Sequence, residues 1–330
     1  MKSPALDVES KSKAPLGELL RWFFRRYATV IGLILLIILF GALKPKIFLS
    51  PINARNILIS VAVLGVLAIG QTVVFALNDF DMSIGSTASM VGIIIGALMA
   101  NHHMAWPLAV VVGILIGCVA GAFNGFMVAY VNLMPFLATM GTLTAYKGIA
   151  YLWQNGATVS GFSSGFLRIG QARIGSIPYL IIILVVVSII AYFVMERTTV
   201  GRRWYALGGN YDASYLAGIR VRRLRMLAFM VSGACAALAG IMLMSRLSSA
   251  TPIMGDPLTL NAVAGVFLGM TAFKEGVPNI AGSIVGVLML GVLLNGLTDI
   301  GASIYVQLMA TGIVIIASVV VAGLSKKQRA

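Results

Sequence analysis

Charged side chains are scarce in this sequence. Only 10% of its 330 residues are Asp, Glu, Lys or Arg, against about 25% in soluble domains, whereas 59% are hydrophobic and the mean hydropathy is +0.98. So few charges cannot cover a soluble surface, and the hydrophobicity excludes a disordered chain. Two cysteines exclude a small scaffold held by disulfides. The composition predicts an all-α polytopic membrane protein.

Groups that catalyse bond chemistry are also scarce. The two histidines, His102 and His103, are neighbours on a predicted outer loop and have no acid nearby, so we expect no metal site. Residues 161–165 match the G-x-S-x-G nucleophile pattern but lie in a Gly/Ser-rich loop, without the strand-to-helix turn and partner histidine that the pattern needs. No phosphate-binding G-x-x-x-x-G-K-[ST] motif occurs, so any ATP must be bound by another chain.

Long apolar segments are abundant. A bilayer core of about 30 Å requires roughly 20 apolar residues per helix, and we predict about ten transmembrane helices. They are residues 27–43, 57–77, 84–100, 104–131, 133–153, 177–195, 226–245, 257–273, 276–297 and 303–324. Lys147 is the one charged residue within them, and we expect its ammonium group to snorkel toward the outer surface near Trp153. The spans form one transmembrane domain, residues 27–324.

Basic residues set the orientation of the chain. The net charge of +14 would suggest nucleic acid in a soluble protein, but here the basic residues cluster in the tail 1–26, the loop 196–225 and the tail 325–330. With ten spans these three segments share one side, which the positive-inside rule assigns to the cytoplasm. We therefore predict cytoplasmic termini and no nucleic-acid partner. The N-terminal tail also contains an amphipathic pattern that predicts a helix on the inner leaflet.

Polar groups within the spans are mostly uncharged. Those that we select as the lining of a substrate path are Gln71, Asn124, Thr139, Thr142, Asn261 and Asn295. Amides and hydroxyls suit a neutral polyhydroxylated ligand, whereas an ion-coupled carrier usually needs a carboxylate at mid-depth, and we predict none there. Hydrogen bonding between helices is the alternative for each residue. In the fourth span, Gly113, Gly117, Gly121 and Gly125 share one face and predict close helix packing.

Two acidic residues, Asp79 and Asp81, directly follow the second span. An acid beside the membrane is costly unless it is solvated or paired, so this pair marks a candidate functional site. The alternative is a solvated cytoplasmic turn in which Asp81, through Ser83, caps the next helix. The sequence leaves both interpretations open.

The loop 196–225 predicts a short helix. Asn210 suits its N-cap, Asp212 its first turn and Gly218 its exit. Ala213, Leu216 and Ala217 give this helix a small apolar face, and short helices of this kind dock into grooves on partner proteins. The alternative is an ordinary surface loop on anionic membrane lipid.

Several stretches of the sequence match one pattern together. They are residues 48–58, Asp81-Met82-Ser83-Ile84-Gly85-Ser86, Asn124-Gly125, residues 135–142, residues 208–219 and Asn295-Gly296-Leu297. They resemble the permease subunits of sugar-type ABC importers, the group that takes up ribose, xylose, arabinose and galactose. The chain departs from this pattern at two predicted cytoplasmic turns, residues 78–80 and 272–276, and so leaves the substrate open.

The resemblance implies a bacterial inner-membrane permease that works as a homodimer or as a heterodimer with a related chain. It implies ATP-binding subunits, which hold ATP and Mg, and a periplasmic binding protein that delivers a monosaccharide or polyol. The residues expected to couple to the ATPase are Gly209, Asn210, Asp212, Ala213, Leu216 and Gly218, and the expected gating turn contains Asp81, Ser83 and Gly85. Alternatives are a permease for a nucleoside, amino acid or furanone signal, and a stand-alone secondary carrier.

Overall fold

A computed structural model describes residues 27–274 and 276–327, and nearly all of its regular structure is helical. The predicted helix on the inner leaflet falls outside the described residues. The helices are α1 (Ala28–Leu43), α2 (Pro45–Phe48), α3 (Pro51–Phe75), α4 (Ile84–Ala100), α5 (Trp106–Ala129), α6 (Pro135–Trp153), α7 (Ser164–Gln171), α8 (Tyr179–Arg197), α9 (Thr199–Gly209), α10 (Tyr211–Leu216), α11 (Val221–Leu247), α12 (Asp256–Gly269), α13 (Ile280–Asp299) and α14 (Ile304–Lys327). Four two-residue strands form two antiparallel ladders: β1 (Val159–Ser160) pairs with β4 (Ser249–Ala250), and β2 (Arg173–Ile174) with β3 (Ile177–Pro178).

The predicted all-α polytopic fold is confirmed. Each predicted span coincides with one helix of 14 residues or more. Within the described residues, α3, α5, α8, α11 and α13 are long and apolar enough to cross a membrane, and α1, α4 and residues 304–320 form shorter apolar helices. Helix α3, which corresponds to the second predicted span, begins at Pro51, six residues before the predicted start. The hydroxyl of Ser50 caps it by accepting a hydrogen bond from the Asn53 amide, and proline suits the first turn.

Glycines bring α5 and α11 into backbone contact. A Cβ atom at Gly117 would overlap the Gly233 carbonyl, and one at Gly121 would overlap the Phe229 carbonyl. Gly125 lies in the same way against Met226, whereas Gly113 faces α4. The close packing that the glycine ladder predicts is therefore confirmed, and α11 lies at the centre of the bundle, in contact with α3, α4 and α5.

Two short helices, α4 and α12, begin inside the bundle with their N-termini in contact. Gly85 of α4 packs on the backbone of Gly255, whose N–H donates to the Ser89 hydroxyl (2.8 Å). One turn further along α4, Ala88 lies against Gly240 of α11, seven residues or about 10 Å before the end of α11. The chain reaches the start of α4 through residues 76–83, which enter the bundle instead of turning at its edge. The residues at this junction form the candidate site.

Candidate functional site

The predicted short helix of the cytoplasmic loop is present as α10. The Asn210 side chain accepts a hydrogen bond from the Ala213 N–H (2.9 Å), and Asp212 lies in the first turn. Gly218 follows the helix with φ of +75°, in the left-handed region that glycine adopts without strain. These three local predictions are confirmed. The role of α10 in coupling stays a prediction.

The surface of α10 is exposed and largely apolar. Leu216 is 84% exposed and Tyr215 is 67% exposed, and the predicted apolar residues Ala213 and Ala217 are exposed as well. Ser214 is the buried residue of this helix. Because apolar side chains of this size are costly to leave in water, α10 has the character of a docking element.

Before α10, loop 196–225 forms a second helix, α9, which the sequence did not predict separately. The Thr198 hydroxyl caps it, and the buried Trp204 indole donates a hydrogen bond to the Leu224 carbonyl at the start of α11 (2.9 Å). Near its end, Gly208 packs on the backbone of Ala76, and the Asn78 amide donates to the Gly208 carbonyl. The end of α9, which directly precedes α10, is thereby attached to residues 76–78.

Asp79 is buried and paired with Arg225 at the start of α11. The Arg225 Nε and Nη2 atoms lie 2.5 and 2.6 Å from the two carboxylate oxygens, and only 4% of Asp79 is exposed. Burial raises the pKa of the Asp79 carboxyl above its ordinary value, an effect that the hydrogen bonds and charge of Arg225 oppose. The solvated turn that we considered as an alternative is therefore wrong.

Asp81 lies deeper and joins three helices. Its Oδ1 accepts hydrogen bonds from the Ser83 amide (3.0 Å) and hydroxyl (2.7 Å), and its Oδ2 accepts one from the Ser232 hydroxyl of α11 (2.7 Å). The Asn124 amide of α5 donates to the Ser83 hydroxyl (2.7 Å). Ser232 lies eleven residues, about 16 Å, along α11. Our expectation of no carboxylate at mid-depth is therefore wrong, because Asp81 enters the bundle on a loop and not on a helix.

One of the two selected threonines of α6, Thr139, bonds to the same loop. The Thr139 hydroxyl accepts a hydrogen bond from the Met82 N–H (3.0 Å), and the Thr142 hydroxyl donates to the Thr139 carbonyl (3.2 Å). We call Asp81, Ser83, Asn124, Thr139 and Ser232 the Asp81 cluster. Asn124 and Thr139 form the hydrogen bonds between structural elements that the alternative predicts, whereas the buried Oδ1 of Asn124 finds no partner among the described residues. Their place in a substrate path stays a prediction.

The other three selected residues form no hydrogen bond with the Asp81 cluster among the described residues. Asn295 exchanges hydrogen bonds with Asn53 (2.9 and 3.0 Å), which also donates to Asp299. Gln71 is fully buried, and neither atom of its amide finds a hydrogen-bond partner among the described residues. Asn261 is half-buried on α12.

Lys147 forms an ion pair that the sequence did not predict. Its ammonium nitrogen lies 2.6 Å from the carboxylate of Asp256, the first residue of α12. We predicted that Lys147 snorkels toward the outer surface; Asp256 gives its ammonium group a protein partner, and the snorkelling itself stays a prediction. The side chains are 38% and 27% exposed, respectively.

Comparison with known proteins shows the family. Residues 53–319 match the family described as the permease component of the branched-chain amino acid transport system. The chain belongs to this permease family. The permease is 35% identical to the ribose import permease protein RbsC of Bacillus subtilis over 97% of this chain and 98% of that protein. It is 32% identical to the D-allose transport system permease protein AlsC of Escherichia coli, over 94% of this chain and 95% of that protein.

A third relative is named for a different cargo. The permease is 30% identical to the autoinducer 2 import system permease protein LsrC of Salmonella typhi, over 79% of this chain and 75% of that protein. No solved structure gives a significant match to the chain. The resemblance to permease subunits of sugar importers is confirmed, and the chain is a multi-pass membrane component of an import system.

Three functional candidates of the permease were missed by the sequence analysis. Ser232 is one of two serines in an otherwise apolar span, Arg225 is one of several arginines in its loop, and Asp256 directly precedes a predicted span. Each of these residues bonds to a partner more than 100 positions away in the sequence, so its role cannot be predicted locally. The one local signal was the isolated charge of Lys147, which requires a partner when it lies within a span.

Proposed function

We propose that the permease translocates a neutral monosaccharide or related polyol, which a periplasmic binding protein delivers. The observation that carries this proposal is the exposed helix α10, which is attached through α9 to a buried polar loop at the centre of the bundle. The sugar class follows from the ribose and allose relatives. ATP and Mg act in separate ATP-binding subunits, and this chain contributes the path and the coupling surface.

The coupling step starts at α10. Tyr211, Tyr215 and Leu216 form an exposed apolar surface on a helix of only six residues. A groove on the ATP-binding subunit would bury this surface, and the gain in free energy would hold α10 to the ATPase as it closes and opens. The Asn210 cap and the left-handed Gly218 keep the helix short and its direction fixed.

Motion of α10 reaches the bundle through residues 76–83. The contact of Gly208 with Ala76 and the hydrogen bond from Asn78 join α9 to this loop. The Asp79–Arg225 pair joins the loop to the start of α11, and Asp81 and Ser83 hold the N-terminus of α4. A shift of α9 would therefore move the N-terminus of α4 against that of α12, where Gly85 and Gly255 meet. This junction is the proposed gate, and Asp81, Ser83 and Gly85 are its residues.

The assembly proposed here contains two permease chains, either identical or related, and two ATP-binding subunits. It lies in the bacterial inner membrane with both termini of the permease in the cytoplasm, because the basic segments 1–26, 196–225 and 325–330 lie on one side of the ten-span map. In this orientation α10 faces the ATP-binding subunits and the β2–β3 ladder faces the periplasm.

A second candidate is a permease for an amino acid or a furanone signal. The description of the matched family and the autoinducer 2 relative favour it. An uptake assay separates the two. The permease is reconstituted in proteoliposomes with its ATP-binding subunit and binding protein, and ATP-dependent uptake of labelled ribose, allose, xylose, leucine and autoinducer 2 is measured. We expect uptake of at least one of the three sugars. Uptake of leucine or autoinducer 2 without any sugar would contradict the proposal.

A further inference from the structure

The exposed side chains of the bundle differ in polarity from one helix to another. On α8, the large exposed side chains between residues 185 and 190 are aliphatic: Val185, Val186, Ile189 and Ile190. A helix that faces lipid is expected to present such a surface, because hydrocarbon offers no hydrogen bonds. On α6 and α12, in contrast, the exposed surface includes the Lys147–Asp256 ion pair.

Two independent relationships place this ion pair inside the membrane-spanning part. Lys147 lies six residues before Trp153, the last residue of α6, which corresponds to about 9 Å along the helix axis. Asp256 follows Gly255, which packs on Gly85 at the inner end of α4. The pair therefore lies about two helical turns inside the bundle.

An exposed charge pair at this depth cannot face lipid at an acceptable cost. The side chains of Lys147 and Asp256 are 38% and 27% exposed, respectively, so protein atoms do not enclose the pair completely. Water solvates both groups at low cost, whereas lipid does not. The exposed side of the pair therefore faces an aqueous space within the membrane.

Other polar groups lie beside the pair. Thr144, three residues before Lys147, is exposed on the same face of α6, and Thr259, three residues after Asp256, lies on the same face of α12 as Asp256. The buried Oδ1 of Asp256 and the hydroxyl of Thr259 accept or donate no hydrogen bond among the residues that the structure describes. Both of these atoms are buried, whereas the exposed part of the site is the charge pair itself, whose net charge is zero.

We propose that the Lys147–Asp256 pair lines the water-filled part of the translocation path, and that hydroxyl groups of the passing sugar exchange hydrogen bonds with it. This inference rests on the proposed transport function and specifies its path. It also revises the expected lining: the path carries two opposite fixed charges and not amides and hydroxyls alone. An ammonium group donates to sugar oxygens and a carboxylate accepts from sugar hydroxyls, so the pair suits a neutral polyol.

Cysteine accessibility tests the proposal in the complete complex. Cys118 and Cys235 are replaced by alanine, and a single cysteine is placed by Thr144→Cys, which leaves the ion pair intact. Ile189→Cys on α8 is the matched control, since it is 63% exposed and lies at a similar depth. The probe is a membrane-impermeant cationic methanethiosulfonate, applied from the periplasmic side with and without ATP. It reacts with the thiolate, which forms in water and not in lipid.

We expect Thr144→Cys to react at least about tenfold faster than Ile189→Cys in one of the two nucleotide states, and the reaction to stop uptake. Gly148→Cys, which has open space around it, replaces Thr144→Cys if that variant does not assemble. The proposal would be overturned if Thr144→Cys and Ile189→Cys reacted at equal rates both with and without ATP. Full uptake after complete modification of Thr144→Cys would also overturn it. Because the rate of labelling does not depend on transport, a failure of the sugar proposal would appear separately, as absent sugar uptake with the labelling difference preserved.

Discussion

Arg225 holds both carboxylate oxygens of Asp79, with N–O distances of 2.5 and 2.6 Å. The pair joins the first turn of α11, the central helix of the bundle, to the loop 76–83 that contacts α9. The Arg225 guanidinium also donates a hydrogen bond to the Val128 carbonyl near the end of α5 (3.5 Å). One side chain thus fixes the loop relative to two helices, which gives the coupling surface a rigid connection to the Asp81 cluster.

Changing this pair should impair transport before it impairs assembly. Arg225→Lys keeps the positive charge but loses the planar fork that matches a carboxylate. We expect the variant to insert at normal abundance while ATP-dependent uptake falls severalfold. Arg223→Lys is the matched control, because Arg223 is exposed on the same turn. Equal uptake by the two variants would contradict the role that we give to the pair.

Removing the positive charge of residue 225 has a different consequence from replacing arginine by lysine. Arg225→Met leaves the buried Asp79 carboxylate without its partner, and breaking a buried ion pair costs about 3–5 kcal/mol. We therefore expect a lower melting temperature of the purified permease and a lower yield. The double variant Arg225→Met with Asp79→Leu should recover most of this loss, since no unpaired charge remains. A melting temperature of Arg225→Met equal to that of the wild type would show that Asp79 is solvated.

Gly218 tests the geometry of the coupling helix. A β-branched residue at φ of +75° is strained by about 1–3 kcal/mol, although a Cβ atom there would meet no other atom within 4 Å. Gly218→Val should therefore change the exit of α10 without disturbing packing, and uptake should fall while abundance is kept. Gly161→Val, at another left-handed glycine (φ of +86°) that points into open space and lies outside loop 196–225, should transport normally. Normal uptake by a well-expressed Gly218→Val would remove the coupling role of α10.

The backbone contact between α5 and α11 predicts a strict size limit at Gly121. A methyl group there would overlap the Phe229 carbonyl, and overpacking of this kind costs about 1–3 kcal/mol. Gly121→Ala should lower the melting temperature of the permease. Gly148→Ala, where a Cβ atom meets nothing within 4 Å, should leave it unchanged. Similar melting temperatures for both variants would contradict the packing described here.

Local signals in the sequence predicted the helices and their ends well, whereas contacts between distant residues could not be predicted. Asn210 and Gly218 act within a few residues of themselves, so their cap and exit were readable from spacing. Asp81 was ambiguous because its burial depends on Ser232, 151 positions away. The partner of Lys147 was missed for the same reason, since Asp256 lies 109 positions away. The contact of α4 with α12 at Gly85 and Gly255 arises from packing and has no local signal in the sequence.

The central claim is that α10 carries the motion of an ATP-binding subunit into the bundle, and photo-crosslinking tests it most directly. A photoreactive amino acid replaces Leu216, which is 84% exposed, and in a separate control replaces Ile174 in the β2–β3 ladder, which is 63% exposed. Each permease is assembled with its ATP-binding subunit and irradiated with and without ATP. The account predicts an adduct between position 216 and the ATP-binding subunit that changes in yield with ATP, and none from position 174. No adduct from position 216, or equal adducts from both positions, would contradict it.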